Sequence, residues 1–371
     1  MPSKSAAAKI LRVLNGPSSQ IYKQPHQLHD HLSSLSAERW FEAEQVSELY
    51  DFRVPAFYVE NVLSGEADDP LIDVVLPSKE ELEDGDEKWD STPSPYRASN
   101  SPFWIQKYEY QGLIRLTTIC SGLCRFCYLK KKNAVTAVMR ADDVDRLFDD
   151  LERRGHKLQE IILSGGDPLC APTATLERIG SRMSRLHSVF ATRVPYINIH
   201  TREPVWDPIR LMARDGLRRT LSLIKPKTIL LNVLHPREVT PEFVEACSWL
   251  ADANGTQRPA LLCQHPLFRG VNNSVEVLEE LYDKLLAVSP PVLPYYMVHP
   301  FYNGTLTKHQ LSVKESQTLY KQLIRRPGCI TPRLVVPTPW GKCVVGPHEE
   351  LQRVGDAYQL TTKDGVKVFV Q

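Results

Sequence analysis

Six short apolar runs, separated by amphipathic stretches, constrain the fold of this chain more than any other feature. The runs occupy residues 112–119, 160–163, 194–199, 228–231, 260–263 and 293–298, and residues 141–154, 174–187, 241–254 and 274–288 carry apolar side chains at helical spacing. Repeated strand and helix units of this length imply parallel strands joined by crossover helices, and six of them curl into an open barrel. The predicted class is α/β: a partial (β/α)6 barrel with a helical N-terminal extension and a short C-terminal segment. In such barrels reactive groups sit at the carboxyl ends of the strands. The chain obeys that rule: CSGLCRFC follows the first run, Ser164-Gly165-Gly166-Asp167-Pro168 the second, His200-Thr201-Arg202 the third, Asn232 the fourth, Gln264 the fifth and His299 the sixth.

The flanking sequence differs in character. Residues 1–36 form an arm in which Lys4, Lys9, Arg12 and Lys23 precede the first acid, Asp30, and 6–14 suits a short basic amphipathic helix. Such an arm is either a mitochondrial presequence or an ordinary tail, so the expected compartment is the cytoplasm or the mitochondrion. Residues 37–110 read as an extension, with a helix over 37–50 and an acidic, proline-punctuated surface loop or linker over 79–101. The barrel is expected over 111–326, followed by a C-terminal segment over 327–371. A formal charge of +1 across 371 residues argues against nucleic acid as a partner, and no apolar run is long enough to cross a bilayer. The expected ligand is a small molecule, bound by a monomer or a homo-oligomer.

Cys120, Cys124 and Cys127 carry the chemistry. A CxxxCxxC triplet supplies three thiolates, enough for three irons of a [4Fe–4S] cube, and leaves the fourth iron open, whereas structural zinc and electron-carrying clusters normally have four protein ligands. The alternatives are a reduced zinc knuckle and incidental buried thiols. The other cysteines, Cys170, Cys247, Cys263, Cys329 and Cys343, lack CxxC pairing and read as small buried hydrophobes rather than a disulfide framework.

The triplet resembles the radical S-adenosylmethionine (radical SAM) superfamily. The runs FRVPAFYVENVLSGEADDPLIDVVLP, KYEYQGLIRLTTICSGLCRFCYLKK, EIILSGGDPL, IHTREPVWDPIRL, LHPREVTPEFVEACSWLADA, QHPLFRGVNNSVEVLEEL and PYYMVHPF are similar to the lysine 2,3-aminomutase family within it, over about residues 50–345. The resemblance implies an open iron that chelates S-adenosylmethionine, an external electron donor, and cleavage to a 5′-deoxyadenosyl radical that abstracts hydrogen. It also implies a 1,2-amino shift assisted by pyridoxal phosphate, whose ring delocalises the radical. Gly165 and Gly166 would let the backbone approach the methionine moiety, with Ser164 and Asp167 adding polar contacts. His200, Arg202 and Gln264 are further candidate cofactor contacts. Lys342, in TPWGKCVV, falls where the family anchors pyridoxal phosphate as an imine, although the family's glycine run is shortened here and a turn lysine is the alternative.

The departures bear on the substrate. Leu129 stands where the family has the arginine that pairs with the substrate carboxylate, and Gln111 replaces an arginine expected at the pyridoxal phosphate, while Lys107 keeps a cation near it. Phe301 and Pro337 replace two acids that clamp a distal ammonium in lysine-specific members. Lys130, Lys131 and Lys132 are candidate substitute anion partners, or else a solvated charge run. His235, His265, Tyr295, Tyr296 and Tyr302 are further polar or aromatic candidates for the pocket.

Three readings follow: an aminomutase-like isomerase on an amino acid or amine other than lysine, a radical SAM hydrogen-abstraction enzyme (epimerase or dehydrogenase) without pyridoxal phosphate, and a non-catalytic iron–sulfur protein. Replacing Cys120, Cys124 or Cys127 by alanine is expected to abolish reductive cleavage of S-adenosylmethionine, while Cys170→Ala or Cys247→Ala leaves iron content unchanged. Full cleavage by any of the triplet variants, measured as 5′-deoxyadenosine released, refutes the cluster assignment.

Overall fold

The computed structural model describes residues 20–82, 96, 98–127, 129–130, 137–189, 195–255, 257–300, 307–326 and 330–370. The N-terminal extension forms a layer of its own. Its first strand, β1 (Ile21–Tyr22), pairs antiparallel with β2 (Val54–Pro55). Between them the helix Ala37–Ser47 starts where the Ser36 hydroxyl accepts from the Arg39 amide, and it buries Trp40, Ala43 and Val46. The expected helix over 37–50 thus ends three residues early.

One nine-stranded sheet builds the rest of the core. Its strands are β3 (Trp104–Tyr108), β4 (Gln111–Thr117), β5 (Glu160–Gly165), β6 (Tyr196–Thr201), β7 (Thr228–Asn232), β8 (Ala260–Pro266), β9 (Val292–Val298), β10 (Arg333–Thr338) and β11 (Gly341–Val345), each hydrogen-bonded to the next. From β4 to β10 all pairs are parallel. The two edge strands run antiparallel to their neighbours. The sheet therefore contains the six predicted runs and a seventh parallel strand, β10, and it extends past both ends of the expected 111–326 span. Strands β3, β10 and β11 escaped notice because each is short and flanked by proline, glycine or charge.

The sheet curls until its edges meet. The Lys342 backbone N–H of β11 donates to the Tyr108 hydroxyl of β3 at 2.9 Å. Gly341 makes this approach possible, since its φ is +129° and a Cβ there would lie 3.1 Å from that hydroxyl. Helices cover the outside. Ala141–Arg154, for example, turns Val144, Leu147, Phe148 and Leu151 onto the sheet, about 2 kcal/mol of transfer free energy for each large apolar side chain. A three-stranded antiparallel sheet, β12 (Gln352–Val354), β13 (Ala357–Thr361) and β14 (Lys367–Val370), ends the chain. Its Lys363 amide donates to the Lys342 carbonyl, which sets this sheet beside the seam. No helix among the described residues is long and apolar enough to cross a membrane.

The N-terminal layer backs the cysteine loop. The Leu123 amide donates to Arg53 and the Arg125 amide to Val74, while the Arg53 guanidinium donates to the Cys120 carbonyl at 3.0 Å. Glu81 lies within the stretch expected to be a solvated linker, yet it is fully buried between Arg125 at 2.6 Å and Lys130 at 2.8 Å. Burial pushes its carboxyl up, but the two cations outweigh that and hold it below its ordinary value. Glu81→Gln leaves two buried cations with no counter-charge; a loss of about 3–5 kcal/mol is expected in denaturant unfolding. An unfolding midpoint like that of the unmodified protein refutes this account.

Candidate active site

A cavity of about 360 Å³ opens at the carboxyl ends of the parallel strands, and its wall holds residues that lie far apart in the chain. Cys120, Cys124 and Cys127 line it together with Ser164, Gly165, Gly166, Asp167, His200, Arg202, Gln264 and Lys342. The barrel register explains the convergence, because alternate residues of a strand share a face and each strand delivers its last inward side chains to the same rim.

The thiols are desolvated. Burial raises all three, to about 12 for Cys124; Asp167 and the neighbouring thiols push Cys120 further up, while Arg202 draws Cys124 down. Three half-buried thiols within mutual electrostatic reach favour deprotonation only when a cation binds them, which suits an iron–sulfur cluster. The loop conformation depends on Gly122: a Cβ there would lie 2.4 Å from the Trp206 ring. Trp206 in turn packs on Tyr58 of the N-terminal layer, with ring centroids 4.7 Å apart.

The glycine pair forms a cradle. Gly165 has φ +123°, and a Cβ on Gly166 would fall 2.5 Å from the Ile119 carbonyl oxygen. Asp167 lines the cavity, but its oxygens are taken by the Thr201 hydroxyl and the amides of Arg202 and Leu169, at 2.8–2.9 Å. It staples the loop rather than offering the polar ligand contact expected of it. Cys170, expected to be a buried hydrophobe, is half-buried, and its thiol donates to Glu203 at 3.3 Å. Ser121 donates to the other oxygen of Glu203, whose carboxyl is raised to about 8 by burial first and then by Asp167.

Arg202 is the best anchored wall cation. Its guanidinium donates to Glu238 at 2.5 Å and to the side-chain and backbone oxygens of Asn232, and Tyr58 donates to the same Glu238 oxygen. Its Nε is buried and has no partner among the described residues. An orphaned donor beside the cysteines and the glycine cradle suits an anionic ligand group such as a carboxylate. Glu238 and Tyr58 gave no motif signal. Only their convergence on Arg202 identifies them.

Lys342 enters from the seam, with its ammonium 5.0 Å from the Tyr296 ring centroid. Burial chiefly, then repulsion from Lys363, brings its amine down to about 8 despite the attraction of Glu160. His200 shares the wall and is lowered to about 3 by burial and then by Lys342, so it is neutral.

Other candidates lie elsewhere. Lys130 is not an anion partner for the cavity, since it is buried against Glu81. Lys107 is half-buried on β3 and off the cavity wall, and Gln111 donates to Glu160 instead. His299 turns away to the Ser316 hydroxyl at 2.9 Å, and His265 reaches the cavity edge but bonds Tyr282 at 2.8 Å. His235 caps a 3-10 turn at the Arg237 amide, and Tyr295 and Tyr296 bond each other beneath Lys342. Leu129 and Pro337 do line the cavity. The segment 1–19, Lys131, Lys132, Phe301, Tyr302 and Cys329 lie outside the described residues.

The chain is similar in part to known proteins. The Radical SAM superfamily model matches residues 114–283. The L-lysine 2,3-aminomutase of Buchnera aphidicola is 27% identical over 318 residues, which cover 85% of this chain and 89% of that protein. The glutamate 2,3-aminomutase of Clostridioides difficile is 25% identical over 369 residues, covering 96% and 84%. Among solved structures, a radical SAM methyltransferase from Sphaerobacter thermophilus superimposes with a TM-score of 0.39 at 16% identity, over 61% of this chain and 67% of its own.

The cradle yields a direct test. Gly166→Ala places a methyl group against backbone that cannot retreat, so S-adenosylmethionine affinity, measured anaerobically by calorimetry, is expected to fall by about tenfold or more with the iron content kept. Unchanged affinity refutes the cradle.

Proposed function

We propose that the chain is a divergent member of the radical SAM superfamily, akin to the lysine 2,3-aminomutase family, and that it is an isomerase moving an amino group between adjacent carbons of a substrate other than lysine. One observation carries the reading: a single cavity brings the cysteine triplet, the glycine cradle, the orphaned Arg202 donor and the Lys342 amine together. Cys120, Cys124 and Cys127 would hold a [4Fe–4S] cluster, and Gly165, Gly166 and Arg202 would hold S-adenosylmethionine. When bound, the cluster supplies the electron that cleaves S-adenosylmethionine to the 5′-deoxyadenosyl radical.

The chain's own residues do the rest. A buried amine at about 8 is roughly one-tenth neutral at pH 7, far more than an ordinary lysine, so Lys342 is suited to capture the aldehyde of pyridoxal phosphate. Burial keeps water from the reacting carbons, and neutral His200 provides a hydrogen-bonding group on the wall without a competing charge. Among the described wall residues Asp167 is the one carboxylate, and its oxygens are occupied. A distal ammonium would therefore be buried without a partner, at a cost of several kcal/mol. That one relative bears the name of a glutamate mutase supports a substrate preference that varies among these proteins.

A second reading, hydrogen abstraction without pyridoxal phosphate, is favoured by the wall's cations. Among the described residues these are Arg202 and Lys342, which leaves none for a phosphate once Lys342 is anchored and Arg202 holds S-adenosylmethionine. Borohydride treatment followed by peptide mapping separates the two. A phosphopyridoxyl group on Lys342, lost in Lys342→Ala with the cluster retained, is expected; its absence from protein purified with ample pyridoxal phosphate selects the second reading.

L-Lysine is expected to give no useful yield of β-lysine, and Leu129→Arg alone is not expected to rescue it, because the distal end still lacks a carboxylate. β-Lysine formed by the unmodified enzyme as fast as the product of its best substrate refutes this specificity.

A further inference from the structure

Behind the cavity wall, one histidine is held between two acceptors. His309 is 8% exposed; its Nδ1 lies 2.7 Å from the Arg269 carbonyl oxygen, and its Nε2 lies 3.1 Å from an Asp73 carboxylate oxygen. A carbonyl oxygen only accepts, and so does an ionised carboxylate, so both ring nitrogens must carry hydrogen for both bonds to form. Asp73 is ionised. Burial pushes its carboxyl up, but His309, Lys308 at 3.0 Å and Arg39 at 3.2 Å outweigh that and hold it well below the usual carboxylate range. The ring in this conformation is therefore an imidazolium, and losing either proton removes one of the two bonds.

These contacts join three parts of the site. Asp73 belongs to the short helix Ile72–Val75 of the N-terminal layer, whose Val74 carbonyl also accepts from the Arg125 amide of the cysteine loop at 2.9 Å. Arg269 follows β8, and its amide donates back to the His309 carbonyl at 2.8 Å. The His309 ring meets the Phe268 ring edge-on, with centroids 6.4 Å apart, and Phe268 packs on Phe126 of the cysteine loop at 4.9 Å. Phe126, Phe268 and Gln310 all line the cavity. One short helix thus braces the cysteine loop through a backbone bond and the adjoining wall through an ion pair.

We propose that His309 is a positioning residue that works as a pH-sensitive latch: as an imidazolium it ties the wall segment carrying Phe268 and Gln310 to the N-terminal layer, and on losing a proton it releases that wall. The inference rests on the reading of the cavity as the S-adenosylmethionine site. The groups facing the ring come from every element packed against it. Asp73 attracts it from helix Ile72–Val75, while Lys308 beside it and Arg39 on helix Ala37–Ser47 share the same carboxylate. Arg269 presents its carbonyl, with its guanidinium turned to Glu315 on helix Val313–Leu323 at 2.7 Å. Both bonds are complete while the ring is charged, and one is lost as pH rises through its titration. Ligand affinity should therefore step down with rising pH. Removing the Asp73 charge moves that step to lower pH, and removing the repelling Lys308 charge moves it to higher pH.

Anaerobic calorimetry of S-adenosylmethionine binding to the full-length, cluster-loaded protein across pH tests this. Affinity is expected to fall by about fivefold across the step, the size of one lost charge-assisted hydrogen bond partly recovered by water. Asp73→Asn should bring the step to lower pH, Lys308→Met should take it to higher pH, and Asp73→Glu should restore most of the unmodified profile. In His309→Gln the step should vanish, with the iron content kept. A step unchanged in size and position in both Asp73→Asn and His309→Gln overturns the inference, and so does a uniform weakening that leaves the step in place. Nitrogen NMR of histidine-labelled protein reads the ring separately. If no S-adenosylmethionine binds, the proposed function fails, yet a His309 titration moved to lower pH by Asp73→Asn still supports the latch; a titration alike in both proteins overturns it.

Discussion

The buried triad of Glu81 between Arg125 and Lys130 is the interaction on which the site depends. A loop carrying three desolvated thiols has little apolar surface of its own with which to fold, and it must stay in place while a charged cluster is assembled on it. The N-terminal layer meets this need from behind. Backbone bonds from Leu123 and Arg125, the Arg53 contact to Cys120 and the ion triad tie Cys120, Leu123, Arg125 and Lys130 to chain segments 44 or more residues earlier. A buried triad is not a source of great stability by itself, because desolvation offsets most of the attraction. Its effect is specificity: any other placement of the loop leaves three charges buried apart.

The same economy of charge runs through the cavity. Arg202 is matched by Glu238, Asp167 is closed into its loop by Thr201 and two amides, and Glu203 is neutral at neutral pH. The thiols and Lys342 line the cavity, and Arg202 in its wall keeps a buried Nε with no partner among the described residues. In a low-dielectric enclosure these are the groups with the most to gain from a ligand, and they stand where a cluster, a carboxylate and a carbonyl would bind. Leu129 and Pro337 add apolar surface to a wall that also holds Ser164, His200 and Gln264.

Much of this was legible in the sequence, for reasons that differ between elements. The runs that became β4 to β9 were visible because strands covered on both faces are continuously apolar, and helix 141–154 because its apolar stripe recurs every three to four residues. The cysteine triplet and Gly165-Gly166 were legible because their spacing is local. Strand β3, the β10–β11 hairpin and the burial of Glu81 were not. Each is stabilised by partners remote in the chain: Tyr108 by Lys342, and Glu81 by Arg125 and Lys130. The histidines show the same limit, since His200 and His299 occupy equivalent strand ends, yet one faces the cavity and the other faces a helix.

The sequence by itself determined the alternating architecture, the polar motifs at the strand ends and the cysteine triplet, because these rest on periodicity and short spacing within one segment. Only the tertiary structure decided which polar residues meet. The pairing of Arg202 with Glu238 and the removal of Lys130 and Lys107 from the cavity depend on how far the sheet curls before its edges touch. That curl is a collective property of strand twist, register and packing summed over the whole barrel, and no local stretch of residues encodes it.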